Sequence, residues 1–307
     1  MNKKSQVKPF LKWAGGKTQL IEKFKELFPE ELNGKGIIKH YYEPFLGGGA
    51  VFFWVAQNCK IEEFHINEFN PEIFVCFDSI KKNVESVIKE LILLKQKYIK
   101  LNETEKEAFF YEIRNIYNQT KKEFNYKKYG KYKWSKRTAL TIFLNKTCFN
   151  GLYRVNSLGE FNVPFGRYKN PEIFDEVNLM AVSKLLEKTK LTNDDFEIVK
   201  TNIKPDSFVY FDPPYRPLNQ TSSFNSYATT GFNDKEQLRL SHTFRILDKQ
   251  GAKVMLSNSD PKNVNPNDNF FEDLYNGYNI VRVDAKRMIN SNTSKRGIIK
   301  ELVIKNY

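Results

Sequence analysis

Cysteine and histidine are scarce in this sequence, three of each among 307 residues. Cys59, Cys76 and Cys148 are scattered, odd in number and without C-x-x-C spacing, which argues against a disulfide framework and a cysteine-held zinc. No H-E-x-x-H occurs either, so metal catalysis is not encoded in any familiar pattern and no metal is expected. Internal repeats and low-complexity tracts are absent, which excludes a solenoid or a tail-like chain. No apolar run approaches membrane-spanning length, and the basic opening MNKKSQVKPF leads to Trp13 and Gly15-Gly16 instead of an apolar leader core. The expected setting is the cytoplasm, a reducing compartment, with no membrane partner. Acid is also in short supply: 36 Asp and Glu face 49 Lys and Arg, giving a net charge of +13 and a pI near 9.3. That balance suggests a polyanion such as nucleic acid, with a merely solubilising surface as the plain alternative.

What is present is a globular composition, 40% hydrophobic and 15% aromatic, in a chain long enough for two structural units. A helix is expected over TQLIEKFKELF up to Pro29. A strand follows at 37–45, a turn at LGGG (46–49), a buried helix at 50–58, a strand at 61–66, and a helix opened by Pro71 that runs to about Lys100. Strand, glycine turn, helix and strand make one βαβ unit. From about 79 to 190 the alternation lapses and the chain turns helical, aromatic and basic. It resumes with strands near 191, at 207–212, 253–259, 278–284 and 300–305, and a helix at 234–248.

Two patterns carry chemistry. The strand FVYFDPPY (208–215) ends where Pro213 and Pro214 remove backbone donors, so pairing stops and Asp212 is delivered to an edge; a strand-ending turn with a solvated carboxylate would look the same. In EPFLGGG (43–49), consecutive glycines let the backbone turn sharply and approach a ligand, and Glu68, 21 residues after Gly47, can accept from a ribose. Position 52 is Phe, which breaks G-x-G-x-x-G, and Leu11 stands where a P-loop needs its first glycine. S-adenosylmethionine is the nucleoside-type ligand that remains, beside a purely packing role for the glycines.

Taken together, KPFLKWAGGK (8–17), EPFLGGG (43–49), NEFN (67–70), NGLYRVNSLGEFNVPFGRYKNP (150–171), FVYFDPPY (208–215) and SKRGIIKELVIKNY (294–307) resemble the Dam-type DNA N6-adenine methyltransferases, the branch that modifies GATC, essentially end to end. Glu68 departs from the family's usual Asp. The resemblance implies an α/β fold: a Rossmann-like S-adenosylmethionine-dependent methyltransferase sheet with an inserted, mainly helical target-recognition domain carrying a β-hairpin. The catalytic domain would span 1–78 and 190–307, and the recognition domain 79–189.

The implied catalytic residues are Asp212, Pro213, Pro214 and Tyr215. Asp212 and the Pro213 carbonyl would accept the two amino hydrogens of adenine, freeing the nitrogen lone pair, and Tyr215 would stack on the base. Family cofactor positions fall on Trp13, Lys17, Phe45, Gly47, Gly49, Glu68, Asp195, Phe196 and Asp212, with Lys17 meeting the methionine carboxylate of S-adenosyl-L-methionine and Phe196 its adenine. DNA positions fall on Lys12, Phe149, Asn150, Leu152, Arg154, Pro164 and Tyr168, with Arg154 reading a guanine edge. The substrate would be double-stranded DNA with the base flipped out. The run 121–137, with eight basic residues, would meet phosphates, and the polar loop 221–232 would order over the flipped base. N4-cytosine methylation, RNA methylation and a non-catalytic DNA-binding module are the competing functions. A restriction endonuclease acting as a separate chain is an association the resemblance leaves open.

Overall fold

Phe208, Val209, Tyr210 and Phe211 have the β-branched and aromatic side chains that favour a pleated, packed strand, and all five residues of that strand are buried. Burial on both faces is the mark of a central strand in a sheet covered on each side. In the computed structural model, residues 6–13, 15–216, 232–286 and 298–307 are described. Residues 221–231 of the anticipated closing loop and 294–297 of the last motif lie outside them.

The chain divides into two units. The sheet unit comprises Lys17–Leu46, Asn58–Asn67 and Asp194–Tyr307. Its strands are β1 (His40–Glu43), β2 (Glu63–Asn67), β4 (Ser207–Phe211), β5 (Lys253–Ser259), β6 (Asn279–Lys286) and β7 (Ile298–Lys305), in the order β2-β1-β4-β5-β7-β6. β2, β1, β4 and β5 are parallel; β7 runs antiparallel to both β5 and β6. Side-chain alternation along β4 sends Val209 and Phe211 into a core with Leu240, Phe244 and Leu247 of the helix Asp234–Lys249. Phe208 and Tyr210 meet Phe28 and Phe24 on the opposite face. Chain order reverses between β1 and β4, the switch point beyond which α/β sheets place their ligands. The carboxyl ends of these two strands lead into Pro44-Phe45 and Asp212.

The helical unit comprises Met1–Gly16, Gly47–Gln57 and Glu68–Asn193. It holds α2 (Ala50–Asn58), α3 (Pro71–Tyr98), α4 (Glu103–Lys121), α5 (Lys131–Thr147), α6 (Glu176–Leu186) and the short strand β3 (Thr189–Thr192). α3 starts where Asn70 accepts from the Glu72 amide and Pro71 needs no donor; Asn102 and Glu105 close a reciprocal cap on α4. α5 is buried nearly all round and packs on α3 and α4.

Two expectations differ. The helix expected from Thr18 is a 3-10 turn (Lys17–Gln19) and a single turn, α1 (Ile21–Phe24), since Leu20 supplies no side-chain cap. Over 149–171 no extended strands form. The chain reverses at Gly159 (φ +74°) through two isolated antiparallel bridges, Val155 with Phe161 and Cys148 with Phe165.

Candidate active site and nucleic-acid interface

In the sheet unit, β4 ends at Phe211 and the next residue, Asp212, is held from two sides. Lys17 Nζ lies 2.8 Å from Asp212 Oδ1, and Ser257 Oγ, on β5, donates to the same oxygen at 3.0 Å. Since the Ser257 proton is spent there, the Tyr210 hydroxyl is the donor in its 2.9 Å bond with Ser257. Burial pushes the Asp212 carboxyl above its ordinary range, while the Lys17 ammonium and the Ser257 hydroxyl pull it back. The result is an oriented, acceptor-rich carboxylate.

The turn itself is pinned by polar groups on the neighbouring elements. Gln237 Nε2 donates to the Pro214 carbonyl at 3.4 Å, Asn258 Nδ2 donates to Gln237 Oε1, and Asn258 Oδ1 accepts from the Arg216 amide at 3.2 Å. Tyr215 donates its hydroxyl proton to Glu301 Oε2 at 2.5 Å, and its ring lies 4.5 Å from Lys17 Nζ. Burial, Asp212 and Glu301 all hold the Tyr215 phenol protonated. Gln237, Ser257 and Asn258 are fully buried. Sequence reading missed them and Glu301; the only signal was Ser-Asn-Ser closing the otherwise apolar strand KVMLSNS.

Other expected cofactor residues of this unit are placed as follows. Phe45 stacks on Phe196 with ring centres 5.3 Å apart, and Phe196 is 4% exposed within the core. Asp195 caps the 3-10 turn that begins at Phe196 by accepting from the Glu197 amide, and it accepts from Arg239 Nη2 at 3.0 Å.

In the helical unit, Gly47 and Gly49 have φ of +51° and +72°. A Cβ on Gly47 would lie 2.8 Å from Trp13 Cδ1, so this glycine is required by both backbone and packing. Trp13 stacks in turn on Tyr153 at 5.6 Å. Glu68 latches the turn: Oε2 accepts from the Gly47 amide at 2.7 Å and Oε1 from the Asn70 amide at 2.8 Å. Burial pushes the Glu68 carboxyl up to about 7 despite both donors. Its two oxygens thus shape the glycine turn, and each keeps a second lone pair for a ligand.

In the same unit Lys12 and the 149–152 turn meet at Asn145, which is 2% exposed. Asn145 Oδ1 accepts from the Lys12 amide at 2.8 Å, and Nδ2 donates to the carbonyls of Lys12 and Gly151, each at 2.9 Å. This clamp brings Lys12 beside the Phe149-Asn150-Gly151-Leu152 turn, with Asn150 at φ +57°. Lys12 Nζ lies 5.4 Å from the Tyr168 ring centre, and the Phe149 amide donates to the Pro164 carbonyl at 2.9 Å. Phe149 is 52% exposed. Arg154 is exposed too, and its Nε donates to Asn162 Oδ1 at 2.8 Å, fixing one edge of the guanidinium. Asn145 holds the Lys12 backbone and Asn162 the Arg154 side chain, bonds that spacing alone did not reveal.

The basic run 121–137 is only partly a surface. Arg137 is buried in a bidentate pair with Glu72 (2.9 and 2.5 Å), over the Tyr117 ring, while Tyr126 donates to Glu72 and Lys121 to the Gly159 carbonyl. Six of its eight cations, Lys122, Lys127, Lys128, Lys131, Lys133 and Lys136, are exposed.

No helix among the described residues is long and apolar enough to cross a membrane. The chain is 50% identical to the type II methyltransferase M.MjaIII of Methanocaldococcus jannaschii, over 98% of this chain and 100% of that one. It is 38% identical to the type II methyltransferase M1.LlaDCHI of Lactococcus lactis subsp. cremoris (99% and 97%) and 31% identical to the DNA adenine methylase of Haemophilus influenzae (98% and 94%). The D12 class N6 adenine-specific DNA methyltransferase family matches residues 13–289. With the carboxylate-Pro-Pro-Tyr turn at the end of a central parallel strand, these likenesses settle the membership: the chain belongs to the D12 class N6 adenine-specific DNA methyltransferases.

Proposed function

We propose that this adenine methyltransferase uses S-adenosyl-L-methionine to methylate N6 of adenine within GATC in duplex DNA, acting on a flipped-out base by direct in-line transfer. The observation that carries the reading is Asp212, held at the carboxyl end of β4 by Lys17 and Ser257. An adenine amino group is a poor nucleophile because its lone pair is delocalised into the ring. A fixed carboxylate and the Pro213 carbonyl, accepting one N–H each, would hold the hydrogens out of the ring plane, and Tyr215 would stack on the base. The Lys17 ammonium and Ser257 hydroxyl keep Asp212 in one place, so no reorganisation is needed as charge shifts onto the amino nitrogen.

Each unit by itself offers groups that suit the methyl donor. Gly47 and Gly49 adopt positive φ, which opens the backbone to a ligand, Glu68 offers buried acceptor oxygens, and Phe45 with Phe196 offers aromatic faces. Trp13 and Asp195 complete the residues that would hold it, and when bound it supplies the methyl group on a sulfonium. The DNA role falls to Lys12, Phe149, Asn150, Leu152, Arg154, Pro164 and Tyr168, and is supported by Asn145 tying Lys12 to Gly151, by Lys12 lying over the Tyr168 ring and by the Phe149 amide bonding Pro164. In this reading the recognition domain is the 79–189 insertion, with the exposed lysines of 121–137 on phosphates. The type II methyltransferases among the relatives favour a separate restriction endonuclease as a functional partner.

The test is transfer of a labelled methyl group to duplexes with GATC, with each single-base variant of it, and with cytosine in place of the adenine. Label on the GATC adenine alone is the expected result. Equal label at every variant site removes the sequence assignment, and label on cytosine removes the base assignment.

A further inference from the structure

Two of the three histidines in this chain meet at one spot on the sheet unit, at the amino-terminal ends of β1 and β2. His40 opens β1 and Glu63 opens β2 as its directly paired neighbour; His65 lies two residues on, on the same face as Glu63. One donor atom from each of the three lies within 4.8 Å of the other two. His65 Nε2 is 3.1 Å and His40 Nδ1 3.8 Å from the same oxygen, Glu63 Oε2. Among the described residues His40 Nδ1 is buried with no hydrogen-bond partner, an expensive arrangement for a ring nitrogen.

The three side chains sit on a rigid base. The amides of Glu62 and Glu63 both donate to the Lys39 carbonyl, and the amides of Lys39 and His40 both donate to the Asp206 carbonyl. The His65 ring stacks on Tyr42 at 4.4 Å and 10°, which fixes its plane. A cation already marks the place: Lys204 Nζ lies 2.7 Å from Glu63 Oε2. Lys204 is 39% exposed on a long stem, so it can withdraw.

We propose that His40, Glu63 and His65 form a binding site for a borderline divalent transition metal such as Zn2+. Two imidazoles and one carboxylate are a donor set that suits such an ion and not Mg2+ or Ca2+. Binding would satisfy His40 Nδ1 and displace the Lys204 ammonium from Glu63. The site lies at the opposite end of the parallel strands from Asp212, so its effect is to fasten β1 to β2 and not to take part in methyl transfer.

The experiment uses the full chain, stripped with a chelator and titrated with Zn2+ by calorimetry and with Co2+ by visible absorption. One equivalent should bind, with a rise in melting temperature. His40→Ala and His65→Ala should each weaken binding by more than about 10-fold, the least that losing even an outer partner of a metal ligand costs. Lys204→Met keeps all three ligands and removes the competing ammonium, so it should bind more tightly than wild type. Binding by His40→Ala/His65→Ala equal to wild type, no binding by wild type, or no gain in Lys204→Met each overturns the site. Lys204→Met also answers the case in which a histidine variant fails to fold.

Discussion

Replacing Arg137 by Met separates the buried from the exposed part of the basic run. Arg137 and Glu72 are 2% and 3% exposed, and the guanidinium makes two bonds to the carboxylate, one to the Tyr117 carbonyl and one to Thr120 Oγ1. Met fills most of the volume but leaves the Glu72 carboxylate with only the Tyr126 hydroxyl and no counter-charge. Breaking a buried ion pair from one side costs about 3–5 kcal/mol, mostly the desolvation of the charge left behind. Removing both charges, as in Glu72→Leu/Arg137→Met, should restore much of that loss, since two apolar side chains need no partner. Urea unfolding followed by circular dichroism measures the stability term, and DNA binding across a salt series measures the other. Arg137→Met should leave the salt slope unchanged, whereas Lys127→Ala should lower it by roughly one counterion and leave stability alone. A stability loss under about 1 kcal/mol for Arg137→Met, together with a lower salt slope, would refute the division.

Asp212→Ala should reduce methyl transfer by at least about 10²-fold, as for the loss of one oriented group in an active site, with DNA affinity by gel shift nearly unchanged. Glu68→Ala should weaken S-adenosylmethionine by roughly 1.5–3 kcal/mol in calorimetry, because it removes a charged acceptor and loosens the glycine turn. Glu68 titrates near 7 when folded and near 4.5 when unfolded, so wild-type stability relative to Glu68→Gln should fall by about 3 kcal/mol as pH rises through that window; a flat difference from pH 4 to 8 would deny the shift. Arg154→Ala should cost about 1–3 kcal/mol on GATC and narrow its margin over single-base variants, and uniform loss at every site would move base reading elsewhere.

How far the sequence was legible depended on the range of the interactions involved. KVMLSNS and AVFFWVAQN declare their strand and helix through local pattern, and both occupy the expected residues. Pro71 behind Asn70 declares a helix start in the same way. The Gln237 and Ser257 bonds at the Asp-Pro-Pro-Tyr turn and the hold of Asn145 on Lys12 depend on partners 23 to 133 residues away, and the sheet order on pairings such as His40 with Ser207, which composition does not carry. Arg137 read as surface charge because its counter-charge lies 65 residues earlier. Glu68 was anticipated as a ribose acceptor from spacing alone, but its amide partners depend on how the glycine turn closes. The reversal at Gly159 was visible in Leu-Gly-Glu; the shortness of its pairing was not, since Arg154 and Asn156 bond across the turn without extended strands.

The division of the chain also governs how it is made. Six successive stretches alternate between the two units, so neither is a continuous piece that could be cut out and expressed alone. During synthesis from the amino terminus, 68–193 emerges as one uninterrupted length whose helices find partners nearby, and it can condense early. β1 must wait: its neighbour β4 leaves the ribosome only after that whole length, and β7 later still. Until then the apolar face of His40–Glu43 stands without its second partner, and a ribosome stall or truncation between 193 and 207 leaves a nascent chain with a built helical unit and an unfinished, aggregation-prone strand edge.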